Sequence, residues 1–239
     1  PKSIRTRVRS RRMTPELASS PRRAVETVRA PVFCDPAFGR PRQFLGNRFV
    51  YAVISSRARG LSIGLNMNPD RRCNFDCAYC EVNRFAPAPE KSLEVGVMAD
   101  ELKAMLTRAF SGEFQNVSCY RNTPEDLLKL RHVALSGDGE PTLCPNFLDA
   151  VRAVIHLRAL GRFPFFKVVL LTNASGLDLR DVQDGLKLFT QEDEVWAKLE
   201  AGTQHYMAEV NHPAGSLEKI LENILLAARQ RPVVIQSLF

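Results

Sequence analysis

The chain has 239 residues, 45% hydrophobic and 25% charged, the balance of a folded domain large enough to bury a core. It holds no apolar run of about 18 residues, which excludes a membrane-spanning helix, and no apolar signal core follows the basic N-terminus. A cytoplasmic location with no membrane partner is expected. The net charge of +7 invites a nucleic-acid reading, but six of those charges are Lys2, Arg5, Arg7, Arg9, Arg11 and Arg12. That run reads either as a basic arm that touches RNA or, because Met13 follows it directly, as translated upstream sequence.

In chain order, residues 1–48 are rich in Arg, Ser, Pro and Gly and show no sustained period. They read as an irregular basic extension, and 49–239 as the core domain. Leu61 to Met67 reads as a short strand. A helix follows from about Met98 to Phe110, with Met98, Leu102, Met105, Leu106 and Ala109 on one face and Gly112 at its end. His132 to Ser136 is a second strand. Pro145 suits the first turn of a helix that Gly161 stops. Phe165 to Leu171 is a third strand, Leu179 to Phe189 a helix, and Glu194 to Leu199 a fourth strand. Ser216 caps a helix bearing Leu217, Ile220, Leu221, Ile224 and Leu225. Val233 to Leu238 is a fifth strand. Alternating helices and apolar strands predict an α/β fold: a parallel sheet with helices outside, as a barrel or an open twisted sheet. The last strand has no helix after it, which predicts a domain that is C-terminally incomplete and leaves an open edge.

The six cysteines are Cys34, Cys73, Cys77, Cys80, Cys119 and Cys144, too sparse for a secreted disulfide framework. Three of them stand in Cys73-Asn-Phe-Asp-Cys77-Ala-Tyr-Cys80, so three thiolates can converge from one loop. Soft thiolates select zinc or iron–sulfur clusters. Structural zinc wants four protein ligands, and no fourth Cys or His lies within twenty residues on either side. A [4Fe–4S] cluster on three cysteines leaves one iron open to a small molecule. Cys77 and Cys80 alone would pass as a thioredoxin-like pair, but Cys73 does not belong to that pattern. Haem attachment would need His where Glu81 stands. Two rivals stay open: a zinc-stabilised RNA-binding module, and an iron–sulfur electron-transfer protein.

Three strand ends carry further polar residues. After the second strand comes Ser136-Gly137-Asp138-Gly139-Glu140-Pro141-Thr142. Its glycines allow a tight turn, and its carboxylates can pair with a ligand ammonium or merely close an Asx turn. After the third comes Leu171-Thr172-Asn173, able to bond a cofactor or cap the next turn. On the fourth, Lys198 and Glu200 share a face and reach either a ligand or each other. Gln236 and Ser237 on the fifth are weaker candidates. His132 and Trp196 read as structural, while His205 and His212 flank a loop beyond the fourth strand.

The spacing Cys-x3-Cys-x-aromatic-Cys, with Tyr79 before the last cysteine, resembles the signature of the radical S-adenosylmethionine (SAM) superfamily. Ser56-Arg57-x-x-Gly60-x-Ser62-x-Gly64-x-Asn66, Gly139-Glu140-Pro141-Thr142 and Lys198-Leu199-x-Ala201-Gly202 are similar to the branch of iron–sulfur oxidoreductases related to tRNA wyosine-base synthases. It departs from that pattern at Asp138, in place of a Gly, and at Glu200, where Asp is common. The resemblance spans roughly residues 55–239. It implies a partial (β/α)6 barrel truncated after its fifth strand, with the site at the C-terminal ends of the strands. It implies that Cys73, Cys77 and Cys80 hold the cluster and that its open iron binds SAM. One electron then cleaves SAM to a 5′-deoxyadenosyl radical, and an electron donor such as flavodoxin or ferredoxin supplies that electron. Tyr79, Asp138, Gly139, Glu140, Asn173, Lys198 and Glu200 are the implied cofactor contacts, with Glu140 at the SAM amino group. The substrate does not carry over, although RNA is a class to consider.

Overall fold

The computed structural model of the protein describes residues 41–238; the expectations placed on residues 1–40, Cys34 and the basic run among them, lie outside the described residues. Six strands form one sheet: β1 (Val50–Ser55), β2 (Gly60–Asn66), β3 (Leu130–Ser136), β4 (Lys167–Thr172), β5 (Glu194–Lys198) and β6 (Val233–Gln236). They lie in sequence order, with β1 antiparallel to β2 and every other pair parallel. The helices are α1 (Val95–Ser111), α2 (Phe147–Ala159), α3 (Arg180–Leu186), α4 (Gln204–Val210) and α5 (Leu217–Ala228). None of the described helices is long and apolar enough to cross a membrane.

The expected α/β class and the five parallel strands are present, and the sheet is open rather than a closed barrel. One strand was not anticipated. Val-Tyr-Ala-Val-Ile-Ser at β1 sits at the end of a Pro- and Gly-rich lead-in, and its turn to β2 has no Asn-Gly or Asp-Gly signal. It pairs with β2 in full register from Val50↔Leu65 to Ser55↔Gly60, covering the edge β2 would otherwise expose. Residues 41–48 extend this edge: Gln43 bridges Ala52, and Arg48 pairs with Glu90 and Glu94 at 2.6 Å each.

Side chains alternate across the sheet. One face carries Leu61, Ile63, Leu65, Val133, Leu135, Val168, Leu170, Val195 and Ala197, all in the hydrophobic core with the buried faces of α1, α2 and α3. The opposite face carries Ser62, Gly64, Asn66, His132, Ala134, Ser136, Trp196 and Lys198, and is largely polar. Gly64 is needed there because a Cβ would fall 2.2 Å from the Tyr51 ring crossing from β1.

Helix ends follow local rules with two shifts. Gly112 ends α1 at φ +78°, and the Ser216 hydroxyl caps α5 by accepting the Lys219 N–H, as expected. Pro145 does not stand in the first turn of α2. The helix begins at Phe147 behind the N-cap Asn146, because the Phe147 N–H is used by Cys144 O in the preceding turn. The third helix is shorter than its apolar pattern, since Leu179 is extended and only flanks it.

A buried ion pair locks the layers together. Arg158 near the end of α2 grips Asp193 with two hydrogen bonds of 2.7 and 2.9 Å, and the Val168 and Thr190 N–H groups donate to the same carboxylate. The Asp193 side chain is 0% exposed and that of Arg158 8%. Burial alone would raise the Asp193 pKa; Arg158 and the two backbone donors outweigh it and hold it below the usual range.

Candidate active site

The loop between β2 and α1 carries the three cysteines. Phe75 anchors it in the core, and a Cys80 N–H to Cys77 O bond of 2.9 Å turns its end. Its outer side is zipped to the segment between α4 and α5. Asp76 N–H donates to Asn211 O (3.0 Å), Ala78 N–H to Val210 O (2.8 Å), and Ala214 N–H to Asn74 O (3.1 Å). His212 Nδ1 lies 2.8 Å from Asp76 O. Cys73, Cys77 and Cys80 all line one cavity of about 560 Å³ at the C-terminal ends of the strands.

The Gly137–Thr142 turn forms the cavity's second wall. Gly139 packs on the cysteine loop, where a Cβ would lie 1.8 Å from Arg72 O, and the Glu140 N–H donates to that same carbonyl at 3.2 Å. Asp138 is clamped: Asn66 Nδ2 donates to Oδ2 at 2.9 Å, Arg42 pairs with Oδ1 at 2.5 Å, and the Asp138 N–H donates to Asn66 Oδ1. Arg42 in turn lies over the Tyr51 ring. Glu140 is 2% exposed. Its Oε1 accepts from Thr142 N, Thr142 Oγ1 and Thr172 Oγ1, while Oε2 accepts the Asn173 N–H at 2.7 Å and, among the described residues, no other donor. Burial pushes its pKa up, and these hydrogen bonds oppose the rise.

The remaining walls come from β4, β5 and β6. Asn173 Oδ1 closes an Asx turn by accepting from Ser175, and its Nδ2 donates to Asn74 Oδ1 at 3.0 Å. Lys198 and Glu200 both face the cavity, yet do not pair with each other among the described residues. The Lys198 ammonium lies 5.7 Å from the centre of the Tyr79 ring. The Tyr79 phenol is held well above its usual pKa, first by burial and then by the Cys77 thiol and Glu200. Gln236 and Ser237 complete the wall, with Gln236 Oε1 buried and without a hydrogen-bond partner among the described residues.

The ten residues read as cluster or cofactor contacts, with the weaker candidates Gln236 and Ser237, therefore line one cavity. The described histidines and Cys144 do not. His132 is buried against Ser62 (2.8 Å) and Trp196, His205 pairs with Glu209 on the surface of α4, and Cys144 lies in the core. Sequence reasoning missed Asn211, which touches Cys77, Tyr79 and Glu200. The only local signal there was the helix-stopping His212-Pro213. It also missed Arg84, which lines the cavity beside Cys80.

The donor set suits a [4Fe–4S] cluster. Three soft thiols are present, and each has a nitrogen donor at its sulfur: Asn173 at Cys73, Asn211 at Cys77 and Arg84 at Cys80. Among the described residues no three His, Cys, Asp or Glu side chains are placed to hold a single metal ion.

A mostly parallel α/β sheet with a cysteine loop over its strand ends defines the class. Residues 67–238 match the radical SAM superfamily, and the chain belongs to it. It is 30% identical over 181 residues to a UPF0026 protein of Helicobacter pylori, covering 74% of this chain and 50% of that one. It is 27% identical to a UPF0026 protein of Methanocaldococcus jannaschii, covering 73% and 48%. The chain thus spans about half the length of these curated relatives. A structure of TYW1 with a lysine-pyruvate adduct bound aligns with 79% of this chain and 65% of that one, at 15% identity and a TM-score of 0.48.

Proposed function

We propose that the chain is the core of an enzyme that reductively cleaves SAM, with Cys73, Cys77 and Cys80 holding a [4Fe–4S] cluster. The observation that carries this reading is that the three thiols line the same cavity as the polar strand-end residues. When bound, the cluster supplies one electron and an open iron at which SAM is split. The chain's own residues do the rest. Glu140 ties the β3 and β4 ends together through Thr172 and Asn173, and its Oε2, with one hydrogen bond, is the acceptor offered to the SAM amino group. Asp138 and Gly139 shape the turn that sets Glu140 in place. Lys198 presents a cation to a carboxylate or phosphate of the bound molecules, and Tyr79 packs under it. Cys80, the exposed cysteine, marks the side from which a flavodoxin- or ferredoxin-like donor reaches the cluster. For the substrate, RNA is the class to test if the basic run at residues 2–12 belongs to the native protein rather than to translated upstream sequence.

The test is anaerobic reconstitution with iron and sulfide, then dithionite and SAM, reading 5′-deoxyadenosine by chromatography. The native chain is expected to release it, and a Cys73, Cys77, Cys80→Ala triple variant to take up no cluster and release none. Binding of one zinc ion with no cluster overturns the reading. A cluster that is reduced while SAM stays intact leaves electron transfer instead. Deletion of residues 1–12 is expected to weaken RNA binding and flatten its salt dependence; unchanged binding removes RNA from the proposal.

A further inference from the structure

The nitrogen donors at the three sulfurs come from three separate parts of the chain, and they are not equivalent. Asn173 Nδ2 and Arg84 Nη2 each stand 3.9 Å from their sulfurs. Asn211 Nδ2 stands 3.4 Å from Cys77 Sγ, and Asn211 is only 2% exposed. Its side-chain nitrogen also meets Tyr79 Oη at 3.1 Å and Glu200 Oε2 at 3.5 Å. Its backbone is held on both sides, donating to Met207 O at 2.9 Å and accepting from Asp76 at 3.0 Å. The backbone that carries the amide is thus held by the segment that zips the cysteine loop down, and the buried side chain is directed at Cys77, Tyr79 and Glu200.

We infer that Asn211 is a positioning residue that raises the reduction potential of the cluster by donating a hydrogen bond to the Cys77 thiolate. The inference rests on the reading of Cys73, Cys77 and Cys80 as cluster ligands. One-electron reduction adds negative charge that the thiolate sulfurs share. A donor at the sulfur stabilises the more negative form more strongly, so it favours reduction. Asp at this position would offer no proton and would add a second carboxylate beside Glu200, working in the opposite direction. The Cys77 contact is shorter than those at Cys73 and Cys80 and is shielded from water, so it carries the larger share.

The experiment is a redox titration of the reconstituted full chain, followed by the EPR signal of the reduced cluster, for the native protein, Asn211→Leu and Asn211→Asp. Iron and sulfide content are measured in parallel. Asn211→Leu is expected to keep the native content and to be roughly tenfold harder to reduce, a shift of about 59 mV to lower potential for one electron. Asn211→Asp is expected to shift further in the same direction. A native potential in Asn211→Leu, or in Asn211→Asp where the leucine variant takes up no iron, overturns the inference while leaving the ligand reading intact. Reduced cluster content in both variants, with the residual cluster at its native potential, makes Asn211 purely structural and also overturns it. Failure of the native chain itself to form a cluster is a different result: it removes the ligand reading, and the inference falls with it.

Discussion

The polar face of the sheet has two ends, and similar residues do different things at each. At the N-terminal end of the parallel strands the polar groups satisfy one another. Ser62 bonds His132, the His132 ring meets the Trp196 edge, the Trp196 indole donates to Glu194 at 2.7 Å, and Lys167 pairs with Glu194 at 2.6 Å. At the C-terminal end, among the described residues, Lys198 lies by the Tyr79 ring with no carboxylate paired to it, and Gln236, its register partner, keeps a buried oxygen without a hydrogen-bond partner. Both ends place a lysine near a carboxylate: Lys167 beside Glu194 within the sheet, and Lys198 two positions before Glu200, which lies just past the end of β5. Closure of the hydrogen bonds among themselves is what separates structural polarity from polarity left for a ligand. The open end is the one where the loops gather, as expected for an open α/β sheet.

The largest effect lies at the closed end. Asp193→Ala strands the buried Arg158 guanidinium and is expected to cost about 3–5 kcal/mol in urea unfolding. A loss below about 1 kcal/mol would show the pair to be dispensable and the closed end to be held by apolar packing alone.

Next is His132, whose pKa is lowered to about 4, chiefly by burial and secondly by Lys167. The unfolded imidazole titrates near 6.5. Between these values the unfolded chain binds more protons, so stability rises with pH across the window, by about 3 kcal/mol in all. In His132→Gln that part of the slope should vanish. Parallel pH–stability curves for the two proteins between pH 4 and 6.5 would count against a buried neutral imidazole.

The smallest effect sharpens the comparison most. Lys167→Met should cost about 1 kcal/mol of stability, since its pair is partly exposed, and leave SAM binding to the reconstituted chain unchanged. Lys198→Met should do the reverse: stability within about 0.5 kcal/mol of native and SAM binding weakened about tenfold, or about 1.4 kcal/mol. Equilibrium dialysis and urea titration of both variants decide it, and the opposite pairing of effects would show that the two ends had been assigned the wrong way round.

Much of this was legible because it is local. The Gly112 and Ser216 caps and the apolar period of α1 each lie within a few residues, and the structure places them as read; on α5 only Leu217 and Ile220 of the expected face are buried, while Leu221 and Leu225 are exposed and Asn223 and Ala227 take the inner positions. What was not legible depends on contacts across long stretches of chain. The strand β1 is recognisable only by its pairing with β2. Asn211 reaches Cys77 across 134 positions, and Arg42 reaches Asp138 across 96. The part of Glu140 exceeds what a strand-end carboxylate announces: three of its four hydrogen bonds tie it to Thr142 and to Thr172.

The sequence by itself determined the spacing of the three cysteines and the layering of the sheet, and its resemblance to a family set the expectation for the strand ends. Side-chain period and ligand spacing are properties of a few consecutive residues, and burial of the apolar face follows from them. Only the tertiary structure decided which polar groups are spent on one another and which stay open. That outcome depends on the register of four parallel strand pairs and on the α4–α5 segment closing over the cysteine loop. A hydrogen bond is made or lost within about an ångström, a precision that no run of neighbouring residues encodes.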